Sequence, residues 1–210
     1  MCIRDSYMIY KNIANQIEAL DFKDISKERK EVLQPLIDYI REKLKRSAPI
    51  RLNFICTHNS RRSHLSQIWA QTIASYYKIS NVSCYSGGTE ATAMFPKVGD
   101  TLTQQGFKID KLSEGVNPVY SVKYSDNEAS IIAFSKKFGN DFNPKSEFAA
   151  IMTFSAADEG CPFVLGCETR IAITYEDPKK SDGTPKQTAK YLERSLQIAT
   201  EMKFVFSEVN

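Results

Sequence analysis

A chain of 210 residues with 42% hydrophobic and 25% charged residues, nine Gly and eight Pro has an ordinary globular composition, which excludes collagen-like, low-complexity and disordered classes. Its 28 Lys and Arg against 25 Asp and Glu leave a dispersed net charge of +3, so no nucleic-acid partner is expected. No run approaches the ~18 consecutive apolar residues of a membrane span. The opening segment also lacks the basic start, apolar core and cleavage site of a secretory signal, so a cytoplasmic protein without a membrane partner is expected. Five cysteines, Cys2, Cys56, Cys84, Cys161 and Cys167, form no CxxC pair, and His58 and His64 are the only histidines. Reduced thiols and no metal site follow as expectations.

In chain order, Ile9, Ile13, Ile17 and Leu20 recur at helical spacing. Val32, Leu33, Leu36, Ile37, Ile40 and Leu44 do so again within the charged stretch from Ser26 to Arg46. Both patterns predict amphipathic helices, with Pro35 able to kink the second. Residues 1–48 therefore read as an N-terminal helical extension. From Pro49 short apolar runs alternate with helical patterns, as in βαβ units around a mostly parallel sheet. The expected strands are RLNFIC, VSCYS, AAIMTF and TRIAIT. A helix starts near Arg62 and Ser63, with Leu65, Ile68, Trp69, Thr72, Ile73 and Tyr76 on its apolar face. An insertion over about 108–148 holds VYSVKY and SIIAFSKKF, which suit a strand pair. Thr184, Pro185 and Gln187 suit the N-cap, first position and third position of a long closing helix whose face carries Ala189, Leu192, Leu196, Ala199 and Phe206. The expected architecture is α/β: a three-layer doubly wound sheet of about four parallel strands over 49–210, behind the extension.

Cys56 stands where the first strand stops and Arg62 where the next helix starts. A five-residue loop between them, Thr57, His58, Asn59, Ser60 and Arg61, can turn its N–H groups inward to join the positive end of the helix in an anion cradle. The same field favours a thiolate and makes Cys56 a nucleophile. Arg62 can clamp two oxygens of an oxyanion in its planar fork, and Ser63 can donate its hydroxyl to the sulfur. Asn59 suits the loop because Asn tolerates left-handed backbone geometry. His58 and Arg61 are expected to face solvent, and Trp69 to lie in the core.

The run Cys56-Thr57-His58-Asn59-Ser60-Arg61-Arg62-Ser63 resembles the C-x5-R-S phosphate loop of low-molecular-weight protein tyrosine phosphatases. It resembles equally the CTxNSxRS loop of the thioredoxin-coupled arsenate reductases that share their fold. Tyr85-Ser86-Gly87-Gly88-Thr89-Glu90-Ala91-Thr92 is similar to the segment after the family's second strand, and Tyr175-Glu176-Asp177-Pro178 to its Asp-Pro loop, so the resemblance spans roughly 50 to 206. It implies a metal-free and cofactor-free hydrolase of a phosphorylated protein or small phosphomonoester. In that scheme Cys56 forms a phosphocysteine, Arg62 and residues 57–63 hold the oxyanion, and Asp177 is general acid and base.

The resemblance also implies an alternative, an arsenate reductase in which further thiols resolve the cysteine adduct and a reductant such as thioredoxin supplies electrons. Ala157-Asp158-Glu159-Gly160-Cys161-Pro162 is similar to the segment bearing the last redox cysteine. Phe154 occupies the position of the middle thiol, however, so Cys167 or Cys84 would have to act instead. A third reading is a non-catalytic phosphate-binding module, whose mark would be loss of the nucleophile or the acid. Both are present, and the hydrolase is the first reading.

Overall fold

Two helices open the described part of the chain, α1 over Lys11–Ala19 and α2 over Lys27–Lys45. The computed structural model describes residues 9–154 and 164–209; Cys2, Cys161 and the redox-like segment around it lie outside the described residues. The Ser26 hydroxyl caps α2 by accepting from the Arg29 amide at 3.2 Å, and Lys43 and Lys45 in the last turn suit the negative helix end. The helix runs without interruption through Pro35. Both Pro35 and Glu31, whose carbonyl the proline leaves unpaired, are exposed, so water can satisfy it. Val32 lies outside the expected stripe at 37% exposure, while Tyr39 joins Leu33, Leu36, Ile37 and Ile40 inside.

The next elements are β1 (Ile50–Cys56), α3 (Arg62–Tyr76), β2 (Val82–Gly88) and α4 (Pro96–Gln104). Three short strands follow, β3 (Lys108–Lys111), β4 (Tyr120–Lys123) and β5 (Ile131–Ala133). The chain continues through β6 (Phe148–Met152), β7 (Cys167–Ala172), a 3-10 turn at Pro178–Ser181 and α5 (Gln187–Ser207). The main sheet is parallel in the order β2-β1-β6-β7. The expected pair of strands in the insertion is present as β4 and β5, with β3 added to make an antiparallel sheet. The second strand of that pair stops at Ala133, and Lys137 instead bridges to Gly88 at the end of β2.

A main core gathers all five helices of the described residues with Leu52 and Phe54 of β1 and Ala149 and Ile151 of β6. Trp69 of α3 lies at its centre, edge-on to Phe107 with ring centroids 5.1 Å apart. The indole N–H donates to Ser195 Oγ at 2.8 Å, and that hydroxyl donates to Gln105 Oε1 at 2.6 Å. This polar chain draws the first half of α5 inward on a different face than its apolar residues predict, while Ala199 and Phe206 of the expected face are buried. Tyr191, Ser195, Ile198 and Met202 are buried while Ala189 is exposed and Leu192 and Leu196 are half-buried. Its N-cap is Lys186; Thr184 closes the preceding turn by donating to the Ser181 carbonyl at 2.7 Å. A thinner layer covers the sheet's other side, where Ile55, Cys56, Phe148, Ala150 and Met152 pack with Phe138, Phe154 and Val164 from connecting segments. No helix among the described residues is long and apolar enough to cross a membrane.

Candidate active site

The register of the main sheet brings the ends of β1 and β2 together, with Cys56 opposite Gly88. The loop from Cys56 to the start of α3 lies on that edge. Its carbonyls point away from its centre into fixed partners. Cys56 O accepts from the Thr89 amide at 3.1 Å, Thr57 O from the Glu90 amide at 2.8 Å, and Ser60 O from the Phe95 amide at 3.0 Å. The His58 carbonyl accepts from the hydroxyls of Ser135 and Thr92 at 2.8 and 3.2 Å. By contrast, the amides of Thr57, His58, Asn59, Ser60 and Arg61 donate to no protein group among the described residues. Five consecutive donors therefore remain for a ligand or water, beside the unpaired first amides of α3.

Asn59 fixes this shape. It takes the left-handed conformation at φ 43°, is fully buried, and uses both ends of its side chain. Oδ1 accepts from the Lys136 amide at 2.9 Å, and Nδ2 donates to Ser63 Oγ at 2.8 Å. Ser63 Oγ also lies 3.0 Å from Cys56 Sγ. Since Asn59 already supplies a proton to this hydroxyl, the hydroxyl's own proton is left for the sulfur. Gly88 closes the loop from behind, because a Cβ there would stand 2.6 Å from both the Asn59 nitrogen and the Thr57 oxygen.

Arg62 and Asp177 meet across the mouth. Arg62 Nη2 donates to Asp177 Oδ2 at 2.7 Å, and Nη1 donates to the Tyr175 carbonyl at 3.0 Å. The other carboxylate oxygen of Asp177 accepts from the Lys179 amide at 3.0 Å and so caps the 3-10 turn. Asp177, placed 115 residues after Arg62, thus shares one ion pair with it.

Arg61 does not face solvent as its loop position suggests. Its Nε donates to Tyr191 Oη and its Nη2 to Asp182 Oδ2, each at 2.6 Å, and its guanidinium lies 4.1 Å from the Phe95 ring centroid. Tyr191 donates to the second Asp182 oxygen at 2.7 Å. Burial alone would raise the Asp182 carboxyl, but hydrogen bonds from Tyr191, Gln187 and Arg61 outweigh it and hold the group below its ordinary range. The clamp ties the loop to α5 and to the segment carrying Asp177. His58 does point outward, with Nε2 3.5 Å from Glu90 Oε2.

Two buried bases escaped sequence reasoning. His64, one turn into α3, is fully buried with Nδ1 3.3 Å from Ser86 Oγ. Burial and the nearby Lys136 charge push it down to about 3, so it is neutral at physiological pH. Lys136, 2% exposed, sets its Nζ 4.3 Å from the Phe134 ring and 5.3 Å from the Phe142 ring. Burial pushes its amine down to about 8. Its only signal in the sequence is a pair of lysines in an insertion, which reads as surface.

Among the described residues the thiols do not converge. Cys167 opens β7 opposite Phe148, and β6 runs parallel to β1 with Ala149 opposite Leu52. At ~3.3 Å per residue, Cys167 is level with a point roughly 15 Å before Cys56 along the strands, whereas a disulfide needs Cα atoms within about 7 Å. Cys84 stands opposite Leu52 in the main core, and burial pushes its thiol far up. Phe154 packs in the small cluster beside Cys56. Among the described residues no group of three or more His, Cys, Asp or Glu can hold a metal ion.

A cysteine loop leading from the second-placed strand of a parallel sheet ordered β2-β1-β6-β7 into a helix is the arrangement of the low-molecular-weight phosphatase fold. A mutant of YwlE from Bacillus subtilis matches with a TM-score of 0.50 at 12% identity, over 76% of this chain and 98% of that one, and this likeness establishes the fold. A low-molecular-weight phosphotyrosine phosphatase from Vibrio cholerae matches at TM-score 0.46 and 14% identity, over 75% of this chain and 94% of its own. A thioredoxin-dependent arsenate reductase from Corynebacterium glutamicum matches at 0.41 and 22%, over 85% and 70%. No family model and no curated protein matches the chain in sequence.

Proposed function

We propose that the chain is a cysteine-dependent phosphomonoester hydrolase of the protein-tyrosine-phosphatase kind. The observation that supports this most is the set of five loop amides without protein acceptors, wrapped in front of a cysteine whose sulfur lies 3.0 Å from a hydroxyl. Such a nest suits the equatorial oxygens of a phosphoryl group, and Arg62 adds a full charge at its rim. Cys56 thiolate attacks phosphorus; the S–P bond forms as the P–O bond to the leaving group breaks. Asp177 gives its proton to that oxygen. Water then attacks phosphorus and passes a proton to Asp177. The S–P bond breaks, and the Ser63 hydroxyl receives the departing thiolate.

In the free protein Asp177 occupies one edge of Arg62. A bound phosphate sets a second anion against the same cation, beside the carboxyl group that would act as general acid. A purely phosphate-binding role would not require this carboxylate. The reductase reading has less support among the described residues, because it needs thiols next to Cys56 and the positions of Cys84 and Cys167 do not supply them, while Cys161 lies outside those residues.

Purified protein given p-nitrophenyl phosphate, with the quenched enzyme examined by mass spectrometry, tests the proposal. Turnover with a phosphate trapped on Cys56, and loss of both in Cys56→Ser, are the expected results. Arsenate consumption coupled to thioredoxin, without phosphatase turnover, would reverse the choice.

A further inference from the structure

A cleft of about 510 Å³ begins at Asp177 and follows the first turns of α5. Lys180, Lys186, Lys190 and Arg194 line it, facing Glu176 and Asp177, and the second of those carboxylates is already held by Arg62. Pro178 and Pro185 supply stiff apolar walls. The arginine is the unusual member. Its side chain is 9% exposed, its Nη2 lies 3.6 Å from Glu176 Oε2, and Nη1 donates to Gln197 Oε1. Its Nε is buried and has no acceptor among the described residues. A buried guanidinium N–H without a partner is unfavourable, and a ligand that supplies the acceptor is correspondingly favoured.

Glu176 does not neutralise the cleft. It is 60% exposed and holds Lys180 and Arg194 only at 3.4 and 3.6 Å. Lys186 makes no ion pair among the described residues, and Lys190 reaches back to Glu193 at 2.7 Å on the exposed side of α5. The position of the cleft says which part of a ligand enters it. A general acid stands next to the leaving oxygen, so the body of the substrate extends from the phosphoryl group past Asp177.

We infer that this cleft is a substrate-recognition site for the carboxylate side chains of a phosphorylated peptide, next to the phosphorylated residue, with Lys186, Lys190 and Arg194 as its cations. The inference rests on the hydrolase reading for the placing of the phosphoryl group. It predicts a preference for acidic over neutral sequence around the phosphorylated position.

The test uses two phosphotyrosyl peptides that differ only by Glu or Gln at the flanking positions. For the wild-type chain kcat/KM is expected to be roughly tenfold higher for the Glu peptide, mainly through KM, as for one charge-assisted hydrogen bond. The ratio should fall towards one in the Lys186→Gln, Lys190→Gln double variant and at high salt. Lys186→Glu alone should turn the preference towards the Gln peptide. Equal kcat/KM for the two peptides in the wild type, or an unchanged ratio in the double variant, would overturn the site. Binding of the same labelled peptides to Cys56→Ser, read by fluorescence anisotropy, applies the same criterion without turnover. Absence of p-nitrophenyl phosphate hydrolysis therefore counts against the hydrolase reading, while the anisotropy ratio still decides the cleft.

Discussion

Asp177 carries two duties that a single substitution can separate. Its Oδ1 caps a turn and its Oδ2 meets Arg62, and Asn can keep the first contact while lacking the proton that the proposed general acid must give. Asp177→Asn is expected to slow hydrolysis of alkyl phosphates by about 10²-fold or more and of p-nitrophenyl phosphate far less, because only poor leaving groups need protonation. Uniform slowing across a leaving-group series would assign Asp177 to structure alone. Lys136 makes a different kind of demand. Its amine is pushed down to about 8 by burial, against an ordinary 10.5, so below pH 8 the folded protein bears the full penalty of a buried charge. Between pH 8 and 10.5 the unfolded chain binds more protons than the folded one, and stability rises with pH by about 3 kcal/mol from this group. Lys136→Met is expected to be more stable than wild type at pH 7, with the gap closing by pH 10.5 in denaturant titrations. Neighbours in sequence such as Cys56, Asn59, Arg62 and Ser63 were legible because their chemistry and their spacing lie in one octapeptide. Lys136 bonds Asn59 from 77 residues away and Asp182 bonds Arg61 from 121, and no local pattern carries such contacts.

Among the elements, those with long periodic patterns were readable and the short ones were not. β1, β6 and α3 follow from buried runs such as Phe54-Ile55-Cys56 and Ala149-Ala150-Ile151, whereas β7 buries only Ile171 and starts two residues before the expected TRIAIT. β3 is four residues with two exposed lysines, and α4 carries Gly99 and three buried residues, so neither gives a strong period. The meeting of β1 and β2 at the loop also leaves its mark in a glycine. An alanine at Gly88 would put its Cβ 2.4 Å from the Glu90 carbonyl oxygen and 2.6 Å from the loop backbone, and backbone atoms cannot step aside as a side-chain tip can. Gly88→Ala is expected to cost about 2–4 kcal/mol of stability and to abolish phosphate affinity. Thermal unfolding and a phosphate titration check both, and wild-type phosphate affinity in this variant would show that the loop does not lean on β2.

The helices before β1 are joined to the rest by a buried ion pair as well as by apolar packing. Arg29 of α2 donates to both carboxylate oxygens of Glu201 on α5, at 2.9 and 2.7 Å, and Glu201 is 3% exposed. Removing the arginine strands a buried carboxylate, so Arg29→Met is expected to lose about 3–5 kcal/mol, measured by denaturant unfolding. A loss below 1 kcal/mol would mean that α2 is held by its apolar stripe alone. The same guanidinium stacks on the Tyr175 ring at 5.0 Å, and the Tyr175 carbonyl accepts from Arg62. Seating of α2 and orientation of Arg62 therefore share one tyrosine, and under the proposed role of Arg62 thermodynamic reciprocity follows from that sharing. Whatever affinity for phosphate is lost when α2 is loosened must reappear as a tighter hold on α2 when phosphate is bound, so protection of the α2 amides against hydrogen exchange should grow with phosphate concentration.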